Sequence, residues 1–108
     1  MFTGTIIENS LTDKSILEKL RICKSWEDGD WRLYNVDATL KEAELMGEYL
    51  AEGPWYIHFW KHGEDDVLVV FKHKSFWIKY SDKETWKEVV EYGKSLGIPP
   101  EQLDFVIE

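Results

Sequence analysis

Trp55-Tyr56-Ile57-His58-Phe59-Trp60-Lys61, Val67-Leu68-Val69-Val70-Phe71-Lys72 and Ser75-Phe76-Trp77-Ile78-Lys79-Tyr80-Ser81 are three short runs rich in aromatic and β-branched residues. Such residues fit a pleated, half-buried surface. The breaks between the runs, His62-Gly63-Glu64-Asp65 and His73-Lys74, are short enough for antiparallel hairpins. Centring the first loop on Gly63-Glu64 pairs Lys61 with Asp66 and His58 with Val69. Treating His73-Lys74 as a tight turn pairs Lys72 with Ser75 and Val70 with Trp77.

Side chains alternate between faces along a strand, so this register sorts them into two sets. One face carries Tyr56, His58, Trp60, Val67, Val69, Phe71, Phe76, Ile78 and Tyr80. The other carries Trp55, Ile57, Phe59, Leu68, Val70 and Trp77, rimmed by Lys61, Lys72 and Lys79. A sheet with one wet side would alternate apolar and polar residues. This one is apolar on both, so each face needs a cover. Three arrangements satisfy that: helices and an N-terminal hairpin over both faces, helices on one face and a second copy of the chain on the other, or an open aromatic binding face.

Helix boundaries lie outward from this centre. Thr39-Leu40-Lys41-Glu42 and Ser81-Asp82-Lys83-Glu84 both have the spacing of a capping box. After the first, Leu40, Ala43, Met46, Gly47 and Leu50 recur at helical spacing until Gly53-Pro54. After the second, Trp86, Val89, Val90, Gly93 and Leu96 form one stripe. Gly97 suits a left-handed residue at the helix end, and Pro99-Pro100 follows it. A further turn at Pro99 to Leu103 is expected, with Leu103, Phe105, Val106 and Ile107 docking the C-terminus. Thr12 is a candidate cap for a short helix over Asp13 to Leu20 that buries Ile16, Leu17 and Leu20. Thr3 to Glu8 reads as a strand. Leu20 to Trp26 and Trp31 to Val36 read as a hairpin around Asp28-Gly29. The expected fold is α+β: one domain over residues 1–108, with an antiparallel sheet of four to six strands and two main helices packed largely on one face.

Composition narrows the function classes. The 108 residues suffice for one core without staples. The single Cys23 excludes an internal disulfide and reads as a small buried hydrophobe. A net charge of −8 disfavours duplex nucleic acid and anionic membrane. No apolar run approaches the roughly 20 residues of a membrane helix. The N-terminus has no basic-then-apolar leader, so a soluble cytoplasmic protein is expected. Amides are scarce (Asn9, Asn35 and Gln102) and Lys and Glu dominate the charges, a pattern seen in thermophile proteomes.

No sequence motif assigns a reaction, a catalytic residue or a cofactor. There is no phosphate-binding Gly-rich loop and no Gly-x-Ser-x-Gly setting. His62 stands near Glu64, Asp65 and Asp66, yet the spacing matches no tight metal motif. Glu27, Asp28 and Asp30 are explained by turn chemistry. The most suggestive constellation is Trp55, Phe59 and Trp77 beside Lys61, Lys72 and Lys79, since aromatic platforms with cations stack single-stranded bases or flat ligands. The leading expectation is a non-enzymatic protein-interaction module that associates with itself as a homodimer. The alternative is a ligand- or single-stranded nucleic-acid-binding protein using the aromatic face. A small metal-dependent enzyme comes last.

Overall fold

The computed structural model describes residues 1–103 and 105. Six strands form one antiparallel sheet in the order β2-β3-β1-β4-β5-β6. In chain order they are β1 (Phe2–Ile7), β2 (Arg21–Asp28), β3 (Trp31–Ala38), β4 (Ile57–Trp60), β5 (Asp66–Val70) and β6 (Ser75–Lys79). Helix α1 (Leu40–Leu45) lies between β3 and β4, and α2 (Lys87–Ser95) follows β6. The fold is therefore α+β, with the strand and helix content that the sequence predicts.

In the β4–β5 hairpin the expected pair His58 with Val69 is present, and the ladder ends at Trp60 with Val67. In the β5–β6 hairpin Val70 pairs with Ser75, and Leu68 with Trp77. This differs from the predicted Val70–Trp77 pairing because the connection is longer than a two-residue turn. Phe71 to Lys74 form it, closed by the Phe71 amide donating to the Lys74 carbonyl at 2.8 Å. The slip is two residues, so every side chain keeps its predicted face.

The two capping signals fared differently. Thr39 accepts from the Glu42 amide, and the Glu42 carboxylate accepts from the Thr39 amide, a complete capping box. At the second site the cap is Asp82, which accepts from the Glu84 amide. Ser81 instead donates to Asp65 through both its amide and its hydroxyl. Likewise Asp13, not Thr12, caps the short 3-10 turn Lys14–Glu18. Thr12 donates its hydroxyl to the Tyr49 carbonyl. Helix α1 tightens into a 3-10 turn over Met46–Tyr49, where Gly47 comes so close to the β5–β6 loop that an added Cβ would stand 2.7 Å from the Phe71 carbonyl oxygen. Gly97 takes φ +89° at the end of α2.

Both faces of the central strands β4 and β5 are covered from within the chain, but the helices divide between them rather than sharing one face. Ala43 and Met46 pack with Ile57, Phe59, Leu68 and Val70 on one side, joined by Leu50 and by Ile16, Leu17 and Leu20. Trp86 and Val89 pack with Trp60, Val67, Val69 and Ile78 on the other, joined by Ile98, Leu103 and Phe105. Strands apolar on both sides require a layer on each. The β2–β3 hairpin extends the sheet in its own plane and covers neither face. Leu103 and Phe105 dock as expected, whereas Val106 and Ile107 lie outside the described residues. Among the described residues no helix is long and apolar enough to cross a membrane.

Candidate functional site

The predicted aromatic constellation is not one surface. Phe59 is wholly buried in the core beneath α1. Trp77, at 52% exposure, stays on the surface with its ring 6.0 Å from that of Phe2. Lys61 sits over the Phe2 ring at 4.8 Å and 3.9 Å from the Glu64 carboxylate. Lys72 donates to the Leu50 carbonyl at 2.8 Å, tying the loop to the end of the α1 segment. Lys79 pairs with Asp66 at 2.6 Å. The lysine rim is thus occupied by internal partners.

Trp55 packs against the α1-side cluster that contains Phe59, as predicted, but it also borders a second feature. β4 begins only at Ile57, so strand alternation does not reach Trp55. The chain turns just before it, the Trp55 amide donating to the Gly53 carbonyl at 2.9 Å. The indole meets that of Trp31 at 6.2 Å between centroids, the planes inclined by 62°.

This pair lines a cleft of about 290 Å³. Its floor is Thr5 and Ile7 of β1 with Leu33 of β3, and its walls are Trp31, Pro54, Trp55, Tyr56, His58 and Gln102. The cleft follows from the topology. The apolar cluster that contains α2 draws its strand residues from β4, β5 and β6, leaving the same face of β1 and β3 uncovered. Thr5 donates its hydroxyl to Asn35 at 2.8 Å across that floor. Tyr56 is held by its hydroxyl on the Gln102 carbonyl. His58 stacks on Trp60 with centroids 5.1 Å apart. The described lining therefore offers rings, aliphatic groups and a few hydrogen-bonding groups, a composition suited to holding a small ligand.

The other candidate groups have structural partners. Among the described residues there is no cluster of three or more side chains able to hold a metal ion. Around His62, Asp65 is held by Ser81, Asp66 by Lys79, and Glu64 lies near Lys61. The Ser81 hydroxyl and amide hold the Asp65 carboxyl below its usual range. His73 meets Glu52 at 2.7 Å. Glu27 pairs with Arg32 at 2.8 Å. Cys23 is exposed, not buried: it sits where the β2–β3 register shifts, on a strand exposed along nearly its whole length. Its thiol is pushed up by the neighbouring Asp37 carboxylate, which disfavours the reactive thiolate.

The cleft was missed from sequence because Trp55 was assigned to a different strand from Trp31 and Leu33, with no signal that they meet. Set against known proteins, the chain matches no family model, no curated protein and no solved structure.

Proposed function

We propose that the chain is a non-enzymatic binding module and that the Trp31–Trp55 cleft takes a small ligand through a planar or apolar group. The observation that carries this reading is the pair of inclined indoles beside a largely apolar floor, where the α2-side layer stops short of β1 and β3. The volume of about 290 Å³ is at the small end for ligand pockets, roughly 300–1,000 Å³. A single-stranded nucleic acid is the weaker occupant. Its phosphates would need cations, and Lys61, Lys72 and Lys79 neither line the cleft nor stand free.

The test is an NMR screen of planar heteroaromatic fragments with indole and adenosine included, followed by chemical-shift mapping. Binding at about 10 µM to 1 mM is expected, as for fragment-sized ligands. The shifts should centre on Thr5, Ile7, Leu33 and the two indole N–H groups, and Trp55→Ala should weaken binding about tenfold or more. Fragments that map elsewhere, or bind Trp31→Ala and Trp55→Ala as tightly as the parent, would defeat the proposal. So would the absence of any hit.

A further inference from the structure

We infer that the outer edge of β2 pairs with the same edge of a second copy of this chain, in one defined register. β2 is an end strand of eight residues, exposed along nearly its whole length. The other end strand, β6, is partly closed off. Its Lys79 amide donates to Thr85 at 2.9 Å, and its Lys79 carbonyl accepts from the Trp86 indole at 2.8 Å. Among the described residues no strand lies beyond β2. An open edge of this kind is a template for another strand.

The hairpin geometry decides which groups are on offer. Asp28 pairs with Trp31 across the two-residue turn Gly29-Asp30. Gly29 has φ +63° while Asp30 keeps a negative φ, the pattern of a type II′ turn. Such a turn closes on a hydrogen-bonded pair, and bonding then alternates along the ladder. Trp26 and Lys24 therefore bond inward to β3, while the amides and carbonyls of Ser25 and Glu27 face outward.

A two-fold antiparallel pairing must join outward groups to outward groups. Ser25 opposite Glu27 of the second copy does so twice. It places Trp26 opposite its own counterpart on the axis and Lys24 opposite Asp28 at both ends. Sliding the copies two residues one way sets Glu27 against Glu27, a like-charge contact. Sliding them two residues the other way runs the ladder into the bulge at Cys23, between Ile22 and Lys24. The charge order of the strand, basic at Arg21 and Lys24 and acidic at Glu27 and Asp28, makes it complementary to itself when reversed. The same side of β2 that carries Trp26 lies over Leu33 and Trp31 in register, so pairing would continue the cleft face from one copy to the next.

The test is sedimentation equilibrium of the full chain at about 0.15 M salt, where long-range repulsion between acidic chains is screened. A small edge contact predicts a monomer–dimer equilibrium between about 10 µM and 1 mM. Ser25→Pro removes an outward amide without breaking the inward ladder, so it should give a monomer with an unchanged circular dichroism spectrum. Lys24→Asp should weaken the dimer about tenfold, and adding Asp28→Lys should restore it. In a Cys23→Ser background, Trp26→Cys should form an intermolecular disulfide on mild oxidation far faster than Glu27→Cys, because directly opposite, non-bonded pairs bring Cβ atoms within reach. A monomer throughout that range, a dimer that Ser25→Pro leaves intact, or equal crosslinking at both positions would each overturn the inference.

Discussion

Glu8 and Tyr34 show how one hydrogen bond contributes to both ends of a pH profile. The Tyr34 hydroxyl donates to the Glu8 carboxylate at 2.6 Å, and Lys14 stands 3.3 Å away. The Tyr34 bond, then Lys14, holds the Glu8 carboxyl below its ordinary value. The same bond, with Glu8 charge beside it, holds the Tyr34 phenol above its own. A lowered carboxyl stabilises the fold above its unfolded pKa, and that contribution disappears as pH falls through the folded one. A raised phenol stabilises below its unfolded pKa and loses its contribution as pH rises through the folded one. Glu8→Gln should therefore flatten the acid limb of stability against pH and lower the alkaline loss, as read by urea midpoints across the range. A profile parallel to the parent on both limbs would contradict this. The bond was invisible in the sequence, since β1 and β3 had no predicted pairing. The tyrosine and glutamate are 26 positions apart.

At the scale of elements, capping chemistry was legible but its exact residue was not always so. Thr39 does what its spacing predicts, and Thr39→Ala should cost about 1 kcal/mol in chemical unfolding. Ser81 had the same spacing and lost the role to Asp82, because Asp65 of the neighbouring loop captured its hydroxyl and amide. A local signal is therefore outweighed when a distant carboxylate takes both the hydroxyl and the amide that the cap would have used. The β5–β6 turn teaches a related point. Strand faces survived a wrong turn length because the error was two residues, an even slip. Trp55 lay outside the strand, yet it packs against the α1-side cluster that alternation assigned it to, and it borders the cleft as well.

At the scale of the molecule, the C-terminal segment completes the α2-side core. Phe105 is fully buried, with ring contacts to Trp86 at 5.1 Å and to Tyr56 at 5.4 Å. Phe105→Ala should cost about 3–5 kcal/mol, the usual range for emptying a buried aromatic site. A thermal melt within about 1 °C of the parent would show that the segment adds no packing energy. Tyr56 and Gln102 also border the cleft, so the same substitution should perturb fragment binding there. The sequence by itself determined the strands, the main helices, one capping box, and the demand for cover on both sheet faces. Those features depend on periodicity and on residues within a few positions of one another. Only the tertiary structure decided that the helices separate to opposite faces, that β1 inserts between β3 and β4, and that α2 stops short of β1 and β3. The cleft and the open β2 edge are consequences of that arrangement. Which distant surfaces meet depends on the complementarity of whole apolar faces, and no local pattern in the chain encodes it.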